Sequence, residues 1–140
     1  MKKLKVYCDG ASRGNPGPAS YGVYILNERG GFVAEFGEAI GRATNQVAEY
    51  RALIRSLEEG KNLGATHMEI FTDSEFVTKQ FQGLYRVKHP DMKVLMAKVR
   101  ELEKNFSAVT LQHIPRSSHP GNKRADQLAN IALDRLSTST

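Results

Sequence analysis

The sequence contains one cysteine, no tryptophan and no long run of apolar residues. The single cysteine, Cys8, excludes an internal disulfide and a zinc site built from several cysteines, and we expect it to be a buried strand residue. No stretch reaches the roughly eighteen apolar residues of a membrane-spanning helix. Asp9 and Gly10 follow the basic N-terminus, where a signal peptide would have an apolar segment. We therefore expect a cytoplasmic protein without a membrane partner.

Acidic residues are also relatively few, with 15 Asp and Glu against 20 Lys and Arg, which gives a net charge of +5. A basic protein is compatible with a nucleic-acid partner, because phosphates attract Lys and Arg, but charge alone does not identify one. The chain of 140 residues is long enough for one domain with a core of its own. We predict a single domain over residues 1–137, a frayed tail over residues 138–140, and a monomer.

The order of periodic segments predicts a mixed α/β fold. Apolar residues alternate in three segments separated by turns at residues 10–18 and 27–31, which indicates an antiparallel meander. Helical spacing begins after Thr44 and Asn45, and two further strands then alternate with helices. The predicted order is β-β-β-α-β-α-α-β-α. It corresponds to a five-stranded mixed sheet, with an antiparallel β1-β2-β3 meander, parallel β4 and β5, and helices on both faces.

Four acidic residues lie near predicted ends or starts of these elements. Asp9 ends the first strand beside a turn of small residues, and Asp73 ends the fourth strand just before a helix. If these strands are parallel neighbours, both carboxylates lie at one edge of the sheet, where sites form in open sheets. Glu49 borders the apolar stripe of the first helix. Asp126 lies in the predicted first turn of the last helix, after a loop at residues 115–122.

Each acid has a structural alternative when considered alone. Asp73 with Ser74 could be only a helix cap, Asp126 would suit a helix N-terminus, and Glu49 could be a surface residue. Clustered carboxylates, however, repel one another and need cations. Without a set of histidine and cysteine ligands, oxygen ligands favour Mg²⁺ or Mn²⁺ over zinc. Two such ions form a clamp for phosphoryl transfer, in which one activates water and the other stabilises the leaving oxygen.

Four fragments in this order resemble the ribonuclease H type 1 family over almost the whole chain: YCDGASRGNPGP at 7–18, TNQVAE at 44–49, TDS at 72–74 and NKRADQLA at 122–129. The resemblance implies an endonuclease that cuts the RNA strand of RNA/DNA hybrids and leaves 5′-phosphate and 3′-hydroxyl ends. It implies two Mg²⁺ or Mn²⁺ ions held by Asp9, Glu49, Asp73 and Asp126. Asp9 would contact both ions, Glu49 and Asp73 the ion nearer the leaving group, and Asp126 the ion that activates water.

The resemblance also implies a substrate-binding surface. The turn containing Ser12, Gly14 and Asn15 would meet RNA 2′-hydroxyls, which the wide minor groove displays. Asn45 and Gln46 would contact bases or sugars, and Arg42 with Thr44 would hold a phosphate of the DNA strand. Helix capping is the alternative for Thr44 and Asn45. The predicted substrate-binding residues are Ser12, Gly14, Asn15, Arg42, Thr44, Asn45, Gln46, His119 and Asn122.

The chain departs from the family in two places. Arg116 occupies the loop position where the family often has a histidine that assists product release, so we assign that catalytic role to Arg116. His119, three residues later, is the other candidate, with an exposed loop residue as its alternative. The connector at residues 82–91 is too short for the additional basic helix of several members. Arg86, Lys88, His89 and Lys93 would supply charge instead, or form an ordinary solvated loop. This leaves double-stranded RNA open as a second substrate.

Other functions fit the sequence less well. The glycine-rich turn lacks the Gly-Lys-Ser/Thr of a phosphate-binding loop, and a meander rather than a helix follows it. An integrase- or resolvase-like DNA nuclease would share the sheet and the acids, but the fragments at 7–18 and 44–49 fit RNA-cutting members better. A non-catalytic module that binds hybrid or double-stranded RNA is the third alternative. Four unneeded carboxylates would destabilise such a module through mutual repulsion.

Overall fold

The computed structural model describes residues 1–138. Of the predicted tail, Thr138 ends the last helix, and residues 139–140 lie outside the described part. The order of elements confirms the prediction. The elements are β1 (Lys3–Ser12), β2 (Gly17–Asn27), β3 (Phe32–Ala43), α1 (Asn45–Asn62), β4 (His67–Thr72), α2 (Glu75–Phe81), α3 (Pro90–Glu103), β5 (Ala108–His113) and α4 (Pro120–Thr138).

The five strands form one sheet in the order β3-β2-β1-β4-β5. β2 pairs antiparallel with β1 and β3, whereas β4 pairs parallel with β1 and β5. The predicted mixed sheet, with an antiparallel meander and two parallel strands, is therefore confirmed. Since β1 is the central strand, its C-terminal end lies in the middle of one edge of the sheet.

Two predicted boundaries beside the acidic residues were wrong. The first turn is much shorter than residues 10–18, because Gly10, Ala11 and Ser12 pair in register with Tyr21, Ser20 and Ala19 as a continuation of the strands. Gly, Ala and Ser are weak strand formers, so their propensity alone does not indicate this pairing. α4 begins at Pro120, inside the predicted loop, as proline suits the first position of a helix. Asp126 therefore lies in the second turn of α4 and not in the first.

Helices cover both faces of the sheet. On one face, alternate β1 residues such as Leu4, Val6 and Cys8 are buried with Leu53 and Leu57 of α1. Each of the two leucines contributes about 2 kcal/mol by its burial. On the other face α4 lies so close to β2 that a Cβ on Gly22 would come within 2.0 Å of the Ala125 carbonyl oxygen. Among residues 1–138, no helix is both long and apolar enough to cross a membrane.

Candidate active site

Asp9 and Asp73 meet at the C-terminal edge of the two central parallel strands. In the parallel pairing of β1 with β4, Tyr7 lies opposite Phe71. Asp9 lies two residues after Tyr7, and Asp73 lies two residues after Phe71. Side chains two residues apart in a strand point to the same face. Both aspartates accordingly line one cleft of about 340 Å³. The condition set by the sequence, that these strands are parallel neighbours, is confirmed.

α1 brings Glu49 into the same cleft. The helix backbone packs directly on β1, and a Cβ on Gly10 would lie 2.3 Å from the backbone nitrogen of Glu49, so only glycine fits there. Ser74 Oγ donates a hydrogen bond to Glu49 Oε2 at 2.7 Å and accepts one from the Val77 N–H at 3.3 Å. One hydroxyl therefore caps α2 and also orients Glu49. The sequence pattern predicted only the capping role of Ser74.

α4 and the loop before it supply Asp126 and Arg116. The Asp126 side chain is 35% exposed, and Arg116 Nη2 lies 3.9 Å from its Oδ1. The Arg116 side chain is 79% exposed at the mouth of the cleft. All five predicted catalytic residues thus line one cavity. The cavity is also lined by residues for which we had predicted no catalytic role, namely Gly10, Ala11, Ser12, Arg13, Asn45 and Asn130.

The charges in this cleft are costly to maintain. Asp9 is only 6% exposed, and its pKa is raised to about 9, first by burial and then by the charge of Asp73, with Asp126 adding to the effect. Burial also raises the pKa of Glu49, an effect that the hydrogen bond from Ser74 opposes. Desolvation and like charges both favour the neutral carboxyl. Proton uptake or a bound cation would relieve the repulsion.

The donor set of the cleft fits a hard divalent cation, because its potential ligands are carboxylate oxygens. Asp9 is close enough to Asp73 and Asp126 for both to act on its pKa through hydrogen bonding as well as charge. Within residues 1–138, no three histidine, cysteine, aspartate or glutamate side chains already form a group that could hold a metal ion. The four carboxylates share a cleft without forming a closed cage.

The turn predicted to meet ribose is anchored to the start of α1. The Ser12 hydroxyl lies within hydrogen-bonding distance of two carbonyl oxygens, that of Ala43 at 2.9 Å and that of Gly14. Asn15 Oδ1 accepts a hydrogen bond from the Asn45 N–H at 3.1 Å. These contacts hold the turn, in which residues 13–16 are exposed, beside the catalytic cleft.

A second cleft, of about 420 Å³, continues from the first across the start of α1. Thr44 caps α1 by accepting from the Val47 N–H at 3.2 Å, while Asn45 is already the first helical residue. Thr44 is therefore the cap of α1, and Asn45 is not. Arg42 is exposed near the end of β3. The second cleft is lined by Asn15, Thr44, Asn45, Gln46 and Glu49, so it shares Asn45 and Glu49 with the first.

The two remaining predicted site residues differ in their surroundings. His119 is exposed, its ring centroid lies 6.0 Å from that of Tyr7, and it is not among the residues that line the catalytic cleft. Asn122 is almost fully buried, at 1% exposure. Its Oδ1 accepts from the Ser117 N–H at 2.5 Å, and its Nδ2 lies 3.5 Å from Asp73 Oδ2. Asn122 thus links the loop that carries Arg116 to the cleft.

Comparison with known proteins gives a consistent result. A family model described as "Reverse transcriptase-like" matches residues 7–132. Ribonuclease HI of Halobacterium salinarum is 46% identical over 132 residues, which cover 94% of this chain and 65% of that protein. Ribonuclease H of Marinobacter nauticus is 32% identical, with 96% of each chain covered. The structure of LC11-RNase H1 in complex with an RNA/DNA hybrid has a TM-score of 0.89 at 40% identity, covering 95% of this chain and 98% of that one.

The chain spans about two thirds of the Halobacterium protein. A bifunctional protein of Mycobacterium tuberculosis is 42% identical to this chain, which covers 37% of that protein's length. The Marinobacter enzyme, in contrast, is matched over nearly its whole length. Similarity of this extent, a shared fold, and carboxylates gathered at the edge of the central strands lead to one conclusion. The chain belongs to the ribonuclease H family.

Proposed function

We propose that this protein hydrolyses the RNA strand of RNA/DNA hybrids. The observation that carries the proposal is the convergence of Asp9, Glu49, Asp73 and Asp126 on one cleft, which Ser12 and Arg13 also line. Asp9 lies on β1, Glu49 lies on α1, Asp73 directly follows β4, and Asp126 lies on α4. A structural relative that is 40% identical was solved with an RNA/DNA hybrid, which supports the same substrate class here.

Two divalent ions, Mg²⁺ or Mn²⁺, would be held by these carboxylates, with Asp9 shared between them. When bound, such ions activate water and stabilise the leaving oxygen in phosphoryl transfer. Mg²⁺ keeps several waters and is usually held by one or two carboxylates together with substrate phosphates. An open cleft without an all-protein cage suits that mode of binding. Hydrolysis of this type would leave 5′-phosphate and 3′-hydroxyl ends.

The surrounding residues would orient these carboxylates and the substrate. Ser74 fixes Glu49 by a 2.7 Å hydrogen bond. Arg116, which is exposed and 3.9 Å from Asp126, would contact a phosphate oxygen at the mouth of the cleft. Asn122 would hold the loop that carries Arg116 and would have no direct substrate contact, since it is buried. His119 lies farther along the same loop, where it would meet substrate only outside the cleft.

RNA would be recognised by the turn at Ser12, Gly14 and Asn15. Gly14 and Asn15 are exposed, Ser12 lines the catalytic cleft, and the contact from Asn15 to Asn45 fixes the turn against α1. Ribose 2′-hydroxyls in the shallow minor groove are accessible to such a surface, and they distinguish RNA from DNA. Asn45 and Gln46, in the adjoining second cleft, would contact the bases or sugars across that groove.

The other strand would lie along the connector between α2 and α3. A third cleft, of about 490 Å³, shares Gln46 with the second and is lined by Tyr85, Arg86, Lys88 and His89, among others. Residues 82–89 form turns and bends without a helix. These features support a member that lacks the additional basic helix and that binds the DNA strand through connector side chains. Double-stranded RNA, which shares the minor-groove geometry, is a second substrate to test.

The experiment is a cleavage assay with purified protein and a hybrid labelled on each strand in turn. With Mg²⁺ or Mn²⁺ the RNA strand should be cut, and Asp9→Asn and Asp73→Asn should each abolish cutting. The same assay with DNA duplex and with double-stranded RNA defines the substrate range. Binding of hybrid without cutting in either metal would instead indicate a binding module. Equal cutting of DNA duplex would indicate a DNA nuclease of the same fold.

A further inference from the structure

Asn130 lines the catalytic cleft, one helical turn after Asp126 on α4. Its Nδ2 donates a hydrogen bond to the Asp126 backbone carbonyl oxygen at 3.0 Å and lies 3.4 Å from the Asp126 carboxylate Oδ1. The side-chain amide therefore lies beside the carboxylate on the cleft side of the helix. Nothing in the sequence pattern distinguishes Asn130 from any other polar residue of an amphipathic helix.

Arg13 approaches Asn130 from the turn between β1 and β2. Its Nη2 lies 2.6 Å from Asp134 Oδ1, 3.4 Å from the Asn130 backbone oxygen and 3.5 Å from Asn130 Oδ1. Arg13 directly follows Ser12, and its N–H donates to the Pro18 carbonyl oxygen at 2.8 Å, which closes the turn. One guanidinium thus connects the turn that would face RNA with the helix that carries Asp126.

The chemistry of the two neighbours defines how the Asn130 amide is oriented. A guanidinium only donates hydrogen bonds, and an ionised carboxylate only accepts them. An amide between them satisfies both when its oxygen faces Arg13 and its nitrogen faces Asp126. The contacts at 3.4 and 3.5 Å are weak individually, and the one at 3.0 Å has ordinary geometry. Alanine at this position would remove both interactions.

We propose that Asn130 is a positioning residue for Asp126, and that Arg13 holds Asn130 in its working orientation. The inference rests on the proposed function, since Asp126 is taken as a ligand of a catalytic ion. The Arg13–Asp134 pair is too exposed to contribute much to folding, with side chains 44% and 66% accessible. Exposed pairs contribute about 0–1 kcal/mol. The contacts therefore act mainly on the cleft, and they link RNA engagement at the turn to the placement of Asp126.

The test compares Asn130→Ala with Gln127→Ala. Gln127 is an exposed residue of the same helix that accepts a hydrogen bond from Arg124, which makes it a matched control. Alanine favours helix at both positions. Loss of a group that orients a metal ligand costs about 10–100-fold in metal affinity or activity. We expect Asn130→Ala to need about tenfold more Mg²⁺ for half-maximal cutting. The KM for hybrid and the melting temperature should stay close to those of the parent, and Gln127→Ala should match the parent throughout.

A second readout does not depend on turnover. The side-chain carboxyl carbon of Asp126 can be followed by NMR while Mg²⁺ is added to protein without substrate. In Asn130→Ala this signal should differ from that of the parent before metal is added, and it should respond only at higher Mg²⁺. Arg13→Ala should change both readouts in the same direction by a smaller factor. It should add little when combined with Asn130→Ala, because the two residues act as one unit.

The outcomes separate this inference from the proposed function. If the parent protein cuts no hybrid with either metal, the proposed function fails. If the parent cuts hybrid but Asn130→Ala has unchanged Mg²⁺ dependence and an unchanged Asp126 signal, only the positioning role fails. An equal effect of Gln127→Ala would also overturn that role, since it would show a general response of α4. Should Asn130→Ala fold poorly, Arg13→Ala, a surface change, decides the question by the same two readouts.

Discussion

Replacing Asp9 by asparagine should stabilise the metal-free protein while it abolishes cleavage. The folded-state pKa of Asp9 is about 9, against an ordinary value of 3.8, mainly because the side chain is buried and lies beside Asp73. At a pH between these two pKa values, the Asp9 carboxyl keeps its proton in the folded protein and loses it in the unfolded chain. The contribution of Asp9 to stability is therefore most favourable below about pH 4, and it decreases as the pH rises towards 9.

The magnitude follows from this difference in pKa. Each pH unit above the unfolded pKa costs about 1.4 kcal/mol, so at pH 7 the cost reaches about 4 kcal/mol as an upper bound. Asparagine carries no charge, and its amide can donate to the neighbouring carboxylates. We expect Asp9→Asn to unfold with a free energy about 2–4 kcal/mol larger than that of the parent at neutral pH without metal.

The assay is urea unfolding followed by circular dichroism in the presence of a chelator, near pH 5 and near pH 8. The advantage of Asp9→Asn should be small near pH 5 and should grow towards pH 8. Mg²⁺ should then reduce it, because the parent gains more from binding the ion. Glu101→Gln is the control. Glu101 forms an exposed pair with Lys104, with side chains 75% and 74% accessible, and its replacement should change stability by less than about 0.5 kcal/mol. An Asp9→Asn protein no more stable than the parent near pH 8, or an advantage independent of pH, would refute the reasoning.

Three further predictions concern the surroundings of the cleft. Gly10→Ala should lose at least about 2 kcal/mol of stability in urea unfolding, and most of the cleavage activity, because the added Cβ has no space against α1. The control is Gly30→Ala, at a position with open surroundings but a positive φ, which should lose only about 1 kcal/mol. Equal losses in the two variants would contradict the packing argument. Ser74→Ala should lose about 1 kcal/mol and reduce the rate of cleavage, and Ser74→Thr, which keeps the hydroxyl, should restore both. Loss of stability in Ser74→Ala with an unchanged rate of cleavage would show that the hydroxyl acts only as a cap. Lys88→Ala should raise the KM for hybrid and reduce the salt dependence of binding by about one phosphate contact, with kcat unchanged. The control is Lys104→Ala, at the exposed C-terminal end of α3, which should change neither the KM nor the salt dependence. Equal effects of the two substitutions would argue against a specific role of the connector.

The sequence alone determined the type and order of the elements. Alternation in β1 and helical spacing in α1 are local patterns, and each reports which side of its own element is buried. The acids near the ends of elements were also readable. Asp73 directly follows the last residue of β4, as predicted, whereas Asp9 lies inside β1, three residues before its end at Ser12. The two wrong boundaries, at Ser12 and Pro120, occur where pairing with β2 or the start of a helix extends an element through residues of weak propensity.

Only the tertiary structure decided which of these residues meet. The parallel pairing of β1 with β4 places Asp9 and Asp73 in one cleft, and the proximity of Asp126 follows from packing of α4 on the other face. The contact between Arg13 and Asn130 joins residues 117 positions apart. Local periodicity carries no record of such a pairing, because it depends on the order and register of all the elements between. The residues that supply the charge could be read from the chain, whereas those that hold it in place became visible only in the packed molecule.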